Sequence, residues 1–337
     1  MPLGEFDLIA RYFARPACPP GPALASRVAQ GNGDDCALLQ VAPGMQLAIS
    51  SDMLVEGRHF LPTVAPERLG HKALAVNLSD LAACGARPLA YTLALAMPRV
   101  DEAFLAGFSR GLHALADAHG ISLIGGDTTA GPLNLCITVF GEVPAGQALL
   151  RSGACPGHDL WVSHARSGGL GDARLALEAF RGRVNLPGDD FERVRRAMEQ
   201  PQPRVALGLA LRGVACSAID VSDGLLGDLA HILRRSGAAP SSPLGATLQA
   251  EALPLSPVLA RQSVALQLEC RLSGGDDYEL LFTATPADAP RVLAAATASA
   301  TPVRRIGRIE AEPGVRVIGP AGEPIEAPWL AFDHFRS

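Results

Sequence analysis

The sequence predicts an α+β fold in two domains, and three observations support this prediction. Helical and strand patterns alternate along the chain, but several predicted strands follow one another directly, which favours mixed sheets over a doubly wound parallel sheet. The 337 residues are 48% hydrophobic, and a chain of this length can form two cores. The stretches 144–146 and 152–157 are rich in proline, glycine and serine, so we expect domains of residues 1–145 and 146–337.

Apolar periodicity and capping residues set the expected limits of the elements in the first domain. Pro66 is suited to open a helix and Gly85 to end it, and Asp101 and Gly120 bracket a second helix in the same way. In chain order we predict a helix over 4–14, a strand over 45–49, a helix over 66–85, a strand over 89–97, a helix over 101–119, and strands over 121–124 and 133–143.

The second domain is expected to contain four strands and four helices. The strands are predicted over 160–163, 216–219, 278–283 and 303–309, and the helices over 171–180, 203–211, 225–233 and 287–296. Segments 182–190 and 238–256 are rich in proline, glycine and serine, and we predict surface loops there.

Composition excludes several classes of function. Lys72 is the only lysine and does not lie in the G-x-x-x-x-G-K-[ST] pattern of a P-loop, and the chain has no H-R-D segment of the protein kinases. The net charge of −5 offers no basic footprint for nucleic acid. No apolar run approaches the ~20 residues of a membrane span. We therefore expect a soluble protein that binds neither nucleic acid nor membrane.

The cysteines and the N-terminus indicate a cellular compartment. Seven cysteines are scattered without a C-x-x-C pair, which fits reduced thiols and argues against a zinc site. The N-terminal segment carries Glu5 and Asp7 within an amphipathic pattern, unlike a signal peptide. We expect a cytoplasmic location.

Six motifs in which aspartate follows glycine or serine are of interest, several of them directly after a predicted strand. The six motifs are Gly33-Asp34-Asp35, Ser50-Ser51-Asp52, Ser79-Asp80, Gly125-Gly126-Asp127, Ser222-Asp223 and Gly274-Gly275-Asp276-Asp277. Small neighbours let the backbone approach a ligand closely. Carboxylates that share one site raise one another's pKa unless a cation separates them. Mg²⁺ prefers oxygen ligands and usually accompanies polyphosphate, so we expect a site for both.

The most specific stretch runs from Asp220 to Asp228. If Ser222 caps the helix that follows, Asp220 and Asp223 lie on either side of the helix N-terminus. The positive end of the helix and its unpaired N–H groups suit a phosphate, and the two carboxylates would hold the cation of that phosphate. The alternative is a structural cap with solvated acids. Gly224 and the flanking apolar runs favour the functional interpretation.

Three weaker motifs each leave a structural alternative open. Gly125 and Gly126 can bring the backbone close to a ligand before Asp127, or can form an ordinary tight turn. Asp80 lies in a helical pattern, where acids are usually solvated, but its apolar neighbours suggest that it is enclosed. Arg151 can clamp a triphosphate through two N–H groups, or can lie on the surface without a ligand.

Two further groups lie near the ends of the chain. Asp34 and Asp35 are adjacent, so that their side chains can diverge and one of them alone can bind a ligand. Trp329 and Phe332 belong to an aromatic cluster near the C-terminus. This cluster can fill a core, or it can stack on a flat heteroaromatic cation.

In the same order, these motifs resemble those of the thiamine-monophosphate kinase family. The resemblance is collinear from Gly4 to the C-terminus, which makes it more specific than any single motif. It rests on segments 34–39, 51–52, 57–60, 71–80, 125–129, 220–224, 273–279 and 332–335. Three departures keep the essential group: Ser51 stands for a common Thr, Asp276 for a common Glu, and Phe332 where Tyr also occurs.

The resemblance implies a fold like that of aminoimidazole ribonucleotide synthetase. It implies an N-terminal mixed-sheet domain that forms a homodimer, a C-terminal α/β sandwich domain, and ATP bound between the two domains. The implied reaction transfers the γ-phosphoryl group of ATP to the phosphate of thiamine monophosphate and gives thiamine diphosphate and ADP, the last step of thiamine diphosphate biosynthesis. The acceptor is already ionised, so no general base is required.

The resemblance also implies a role for individual residues. The Mg²⁺ ligands fall on Asp35, Ser50, Ser51, Asp52, Asp80, Asp127, Asp220 and Asp223. The ATP contacts fall on Gly126, Asp127, Arg151 and Ser222, and the substrate contacts on His59, Asp277 and Phe332. Asp127, Asp223 and Arg151 are expected to act directly in catalysis.

Two other functions remain open. A sister enzyme could act on an aminoimidazole precursor, on selenide or on a carbamoyl donor. Cys18 has no lysine nearby and the chain ends without a cysteine, which disfavours the selenide and hydrogenase-maturation relatives. A nucleotide or cation sensor would bind magnesium-bound ATP without consuming it.

Overall fold

The computed structural model describes residues 5–14, 27–32, 35–166, 168–239 and 241–326. The chain forms two compact units, one of Met1–Leu81 and Ala86–Gly146, the other of Ala82–Gly85 and Gln147–Ser337. The expected domain limits, 1–145 and 146–337, stay a prediction, because compactness alone does not show independent folding.

The first unit alternates helices with strands. Its described elements are α1 (Glu5–Tyr12), β1 (Val28–Gln30), β2 (Leu38–Leu39), β3 (Met45–Val55), α2 (Pro66–Ala83), β4 (Arg87–Met97), α3 (Glu102–His119), β5 (Ser122–Ala130) and β6 (Asn134–Pro144). The predicted limits of α3 are confirmed: Asp101 accepts two backbone N–H groups of the first turn, and Gly120 ends the helix.

A four-stranded mixed sheet organises the first unit. Its strand order is β3-β6-β4-β5, in which β6 pairs antiparallel with β3 and β4, and β5 pairs parallel with β4. Because parallel strands need a crossover, α3 connects β4 to β5. Leu54 on β3 is buried, whereas Leu47, Ile49 and Met53 are 42%, 59% and 54% exposed on the opposite side of that strand.

The second unit contains six strands and six α-helices among the described residues, joined in part by 3₁₀ turns at Ala250–Ala252, Leu259–Arg261 and Pro286–Asp288. The strands and helices are β7 (Asp159–Ser163), α4 (Asp172–Phe180), α5 (Gly188–Glu199), α6 (Val205–Ala210), β8 (Ser217–Asp220), α7 (Leu225–Ser236), β9 (Gly245–Gln249), α8 (Val264–Ser273), β10 (Leu280–Ala284), α9 (Ala289–Ala298), β11 (Val303–Glu310) and β12 (Gly314–Ile318).

A six-stranded sheet in the order β12-β9-β11-β7-β10-β8 forms the centre of the second unit. All neighbours are antiparallel except β9 and β12, so this sheet is also mixed, as predicted. One face packs against α7 and α8, where Leu229 and Leu272 join the cluster around Leu160, Val162 and Leu281. The packing buries a continuous apolar core, since these side chains are at most 2% exposed.

Two strands extend beyond their predicted ends, which changes the setting of two acidic motifs. β3 continues to Val55 and β5 to Ala130, so that residues 50–52 and 125–127 lie within strands rather than after them. Serine, aspartate and glycine have low strand propensity, but β3 pairs along its whole length with β6, and β5 pairs with β4. Tertiary pairing therefore outweighs local preference here.

Both predicted loops are wrong in part. Residues 182–190 include the start of α5, and residues 238–256 include β9, which pairs with β11 and β12. β12 and α8 were also not predicted. The N-cap of α8 was a visible signal, because the side chain of Ser263 accepts the N–H of Leu266 at 3.4 Å. Among the described residues, no helix is long and apolar enough to cross a membrane.

Candidate functional site

In the first unit, β3 and α2 bring two predicted ligands together. Ser50 donates from Oγ to Oδ2 of Asp80 at 2.5 Å, and the backbone N–H of Asp52 donates to Oδ1 of Asn77 at 3.0 Å. Ser50 and Asp52 can both face α2, because side chains alternate along a strand. Asp80 is half-buried in a polar contact, so the alternative of a solvated helix face is wrong.

Ser51 faces the other side of β3. Its Oγ lies 2.9 Å from Oγ1 of Thr138 and donates to the carbonyl oxygen of Ile137 at 3.3 Å. The three consecutive candidates 50–52 therefore do not present their side chains to one point. A ligand that met all three would need backbone atoms as well as side chains.

Asp127 lies on the far strand of the same sheet. It is exposed on β5, in the cross-strand row that passes through Ala94 and Cys136 to Met53 on β3. Three strand spacings separate β5 from β3, which is about 14 Å. Asp127 and Asp52 are therefore too far apart in one copy of the sheet to hold a single Mg²⁺ between them.

Gly126 is required by close contact with the neighbouring strand. Its φ is 151°, and a Cβ at this position would lie 1.9 Å from the carbonyl oxygen of Leu93. Gly125 and Gly126 form part of β5, so the alternative of an ordinary tight turn is wrong, while the close approach of their backbone to a ligand stays a prediction. The glycine lets β5 approach β4 and carry Asp127 to the exposed surface.

His59 lies in the turn after β3 and is held at two points. Its Nδ1 accepts the N–H of Val55 at 3.0 Å, and Nζ of Lys72 donates to its carbonyl oxygen at 3.1 Å. The neutral ring therefore carries its proton on Nε2. Asp35 is exposed in the segment before β2, while Asp34, Trp329 and Phe332 lie outside the described residues.

In the second unit, the turn 221–224 differs from its predicted form in one important respect. Oδ2 of Asp228 accepts the N–H groups of Ser222, Asp223 and Gly224 at 3.1, 3.2 and 3.2 Å. The N-cap of α7 is Gly224 rather than Ser222, and no side chain caps the helix from that position. The prediction that these N–H groups are unpaired and free for phosphate is therefore wrong.

Burial controls the charge of Asp228. Its side chain is 2% exposed, and burial raises its pKa to about 7. The nearby charge of Asp223 raises the pKa further, while the three N–H groups act in the opposite direction. Asp220 is also buried, at the end of β8, whereas Ser222 and Asp223 are half-buried.

The turn 221–224 is joined to the second acidic motif, 274–279, although the two are far apart along the chain. The N–H of Asp276 donates to the carbonyl oxygen of Ser222 at 2.9 Å, and the N–H of Tyr278 donates to that of Val221 at 2.8 Å. A Cβ on Gly275 would lie 2.5 Å from the carbonyl oxygen of Ser222. The two motifs thus form one structure at the end of β8 and the start of β10.

Backbone strain marks the segment around Asp277. Asp276 and Tyr278 have φ values of 65° and 51°, which non-glycine residues rarely adopt, and the Tyr278 hydroxyl donates to Oδ1 of Asp276 at 3.0 Å. Both oxygens of Asp277 lie within 3.1 Å of the N–H of Gly171, just before α4. Burial raises the pKa of Asp277, the bond from Gly171 lowers it, and Glu279 raises it again.

Two features near this segment were not identified from the sequence. Glu279 accepts both Nε and Nη2 of Arg204, at 2.7 and 2.5 Å, and the hydroxyl of Ser163 at 2.5 Å. Nothing in the sequence links Arg204 to Glu279, which lies 75 residues further along the chain.

The second feature is the segment before α4, which carries Gly168, Gly169 and Gly171. This glycine cluster is visible in the sequence and indicates a turn.

Arg151 is exposed, and its backbone lies beside the C-terminal end of α7. Its carbonyl oxygen accepts from the hydroxyl of Ser236 at 3.3 Å, at the end of α7. Burial lowers the pKa of His231, and the charges of Arg234 and Arg151 lower it further, while Asp223 opposes them. His231 therefore lies within electrostatic range of both Arg151 and Asp223.

The candidate residues carry groups that can bind Mg²⁺ and groups that can bind phosphate. Their side-chain donors are carboxylate and hydroxyl oxygens, which suit Mg²⁺, and Arg151 supplies a guanidinium for phosphate. Within the ranges that the structure covers, no three His, Cys, Asp or Glu side chains lie close enough together to hold a metal ion. Any ion at these residues would therefore need hydroxyl, backbone, water or substrate oxygens as well.

Comparison with known proteins identifies the family. Residues 33–143 match the family described as AIR synthase related protein, N-terminal domain. Thiamine-monophosphate kinase of Escherichia coli K12 is 43% identical over 339 residues, which cover 99% of each chain. The crystal structure of thiamine-monophosphate kinase from Stenotrophomonas maltophilia K279a superposes with a TM-score of 0.81, at 43% identity, over 96% of this chain and 99% of that one.

A third relative has been solved with ligands. The structure of AaThiL complexed with AMPPCP and TMP superposes with a TM-score of 0.73, at 27% identity, over 88% of this chain and 89% of that one. The two-unit fold with mixed sheets is thus shared by solved relatives along nearly the whole chain. The chain belongs to the thiamine-monophosphate kinase family.

Proposed function

We propose that this protein transfers the γ-phosphoryl group of ATP to the phosphate of thiamine monophosphate and thereby makes thiamine diphosphate and ADP. The observation that carries the proposal is 43% identity to a thiamine-monophosphate kinase over 99% of both chains. The relative complexed with AMPPCP, a non-hydrolysable ATP analogue, and with TMP supports the choice of both substrates. The acidic motifs and an exposed arginine suit the transfer of a phosphoryl group between two anions.

The reaction needs charge neutralisation more than it needs a base. The acceptor oxygen belongs to a phosphate that is ionised near neutral pH, so no side chain has to remove a proton. Arg151, which is exposed, is available to bind phosphate oxygens through its N–H groups. Asp127 and Asp223 are the acids expected to act closest to the transferred group.

Magnesium fits the donor set of the candidate ligands. Oγ of Ser50 and Oδ2 of Asp80 are already 2.5 Å apart, so both can contribute oxygens to one small site. We assign the metal ligands to Asp35, Ser50, Ser51, Asp52, Asp80, Asp127, Asp220 and Asp223, with ATP contacts at Gly126, Asp127, Arg151 and Ser222. When bound, the ion would neutralise charge on the phosphates.

The substrate contacts are assigned to His59, Asp277 and Phe332. His59 is fixed in position by Val55 and Lys72. Asp277 is held against Gly171 and would act on a cationic substrate from a fixed position. Phe332 is assigned by resemblance alone.

A homodimer is also proposed, formed through the open side of the first unit's sheet. Leu47, Ile49 and Met53 project from β3 and are between 42% and 59% exposed. A face of this kind on a sheet usually marks an interface. A second copy is the partner that the family resemblance implies, and a symmetric pairing would cover the same residues on both copies.

The cytoplasm is the proposed location, because ATP is the co-substrate and the thiols are reduced. Cys36, Cys84, Cys136, Cys155, Cys216 and Cys270 are all free among the described residues. Structural thiols without disulfides fit a reducing compartment.

An ADP-release assay tests the proposed function. With ATP and Mg²⁺ present, ADP should form only when thiamine monophosphate is added, and chromatography should detect thiamine diphosphate in equal amount. ADP release without thiamine monophosphate would favour a sister enzyme, and ATP binding without any ADP release would favour a sensor.

Variants of two acids link the activity to the assigned residues. Asp127→Asn and Asp223→Asn should each reduce turnover by orders of magnitude while the circular dichroism spectrum is unchanged. Asp189→Asn is the matched control, because Asp189 is exposed in the first turn of α5. Near-normal turnover in either active-site variant would count against its assigned role.

A further inference from the structure

Asp228 makes a set of contacts that the expected chemistry of the site does not use. One of its oxygens, Oδ2, accepts three consecutive N–H groups, those of Ser222, Asp223 and Gly224, at 3.1 to 3.2 Å. The side chain projects from the first turn of α7 and is 2% exposed. A single buried oxygen therefore determines the conformation of the turn that carries two predicted functional residues.

The carboxylate of Asp228 lies beside the N-terminus of α7, where helices often bind external anions. Unpaired N–H groups at a helix N-terminus commonly bind phosphate, because they lie at the positive end of the helix. In this protein the N–H of the N-cap residue Gly224 and those of Ser222 and Asp223 before it are already bound to an internal carboxylate. A nucleotide phosphate at the turn would therefore not bind these three N–H groups.

The turn is also fixed from its other side. The carbonyl oxygen of Ser222 accepts the N–H of Asp276 at 2.9 Å. Gly224 packs against the backbone of Ser273, because a Cβ added to Gly224 would lie only 2.9 Å from the carbonyl carbon of Ser273. With its N–H groups on Asp228 and its carbonyl on Asp276, the turn has little freedom to reorient. The side chains of Ser222 and Asp223 thus start from a rigid backbone.

We propose that Asp228 is a positioning residue for nucleotide binding: by gathering three N–H groups, it fixes the turn 221–224 so that Ser222 and Asp223 face magnesium-bound ATP. The assignment rests on the proposed function. It adds that Asp228 already occupies three N–H groups of the turn, so that the metal ion and Arg151 balance the charge of the triphosphate.

The test compares Asp228 with another buried aspartate of the same unit. Asp159 is 5% exposed and forms an ion pair with Arg305 at 3.3 Å. Asp159 pairs with Ala284 at one end of β10, whereas Asp220, next to the turn, pairs with Leu280 at the other end. Asp159 therefore lies away from the turn. Variants of Asp159 should therefore lower the melting temperature without disturbing the turn.

The experiment measures two quantities for Asp228→Ala, Asp228→Asn, Asp159→Ala and Asp159→Asn. Titration calorimetry gives the affinity for AMPPCP in the presence of Mg²⁺, and calorimetric unfolding without ligand gives the melting temperature. We expect Asp228→Ala to bind at least tenfold more weakly than the wild type and Asp228→Asn to be intermediate, because asparagine keeps a neutral acceptor. The Asp159 variants should bind within twofold of the wild type.

The outcomes separate the positioning role from a structural one. If the Asp228 variants lose melting temperature but bind AMPPCP like the wild type, Asp228 is structural only and the proposal fails. If the Asp159 variants lose affinity to the same extent, the loss is not specific to the turn and the proposal also fails. Should Asp228→Ala not fold, Asp228→Asn decides between these results. Absence of AMPPCP binding by the wild type would overturn the proposed function together with this inference.

Discussion

Replacing Glu279 with glutamine is expected to destabilise the second unit by about 3–5 kcal/mol. Arg204 donates to both oxygens of Glu279, at 2.7 and 2.5 Å, and Ser163 donates to one of them at 2.5 Å. The side chains of Arg204 and Glu279 are only 14% and 7% exposed, so water cannot replace the lost contacts. In the variant, an amide group would face the guanidinium and leave a buried positive charge without its partner.

The magnitude follows from burial rather than from the number of bonds. Ion pairs on the surface contribute less than about 1 kcal/mol, because water and salt screen both charges. Glu312 is 81% exposed in its pair with Arg316, so Glu312→Gln is the matched control and should change the free energy of unfolding by less than that amount. A double variant, Arg204→Met with Glu279→Leu, should recover most of the loss, because neither charge is then left alone.

Urea unfolding, followed by the fluorescence of the buried Trp161 on β7, gives the free energies. A loss below about 1 kcal/mol in Glu279→Gln would refute the reasoning, because it would mean that the pair behaves like an exposed one. A double variant as unstable as the single one would also refute it, since the cost would then come from packing and not from an unpaired charge.

Two further predictions concern pH and assembly. Burial raises the pKa of Asp172 from 3.8 to about 6, so the folded state favours the protonated acid, and stability should fall as the pH rises from about 4 to about 6, by about 3 kcal/mol in total. Asp172→Asn, whose oxygen can still accept from Ser256, should remove this dependence, and urea unfolding at pH 4 and pH 8 checks it; an unchanged pH dependence would contradict the assignment. Ile49→Asp should convert the proposed dimer into a monomer in sedimentation analysis, with Leu293→Asp, an exposed site on α9, as control. A monomeric wild type, or a dimer that survives Ile49→Asp, would contradict the proposed interface.

The fold could be predicted to a large extent because strong local signals agree with the tertiary structure. Asp101 and Gly120 bracket α3, and both act as caps in the structure. Local sequence signals did not predict the strands whose conformation depends on distant pairing partners. The residues of β9 carry no local strand pattern, but β11 and β12 pair with this strand on both sides. The extension of β3 through residues 50–52 likewise depends on β6.

The sequence proposes a set of candidate acids, which stays a prediction, but it does not give their arrangement. The strand order separates Asp127 from Asp52 across a sheet. The role of Asp228 could not be inferred either. Its position four residues after Gly224 resembles an ordinary helical acid, and only the backbone geometry of the turn directs three N–H groups to it. Residues that act through the backbone leave little trace in composition or spacing.

The burial of Lys72 has a practical consequence for handling the protein. It is the only lysine in the chain, it is 2% exposed, and its amine donates to the carbonyl oxygen of His59. Reagents that acylate primary amines, including common crosslinkers, dyes and activated resins, would therefore react with the α-amino group alone. Immobilisation or labelling through amines would attach the protein at a single, defined point.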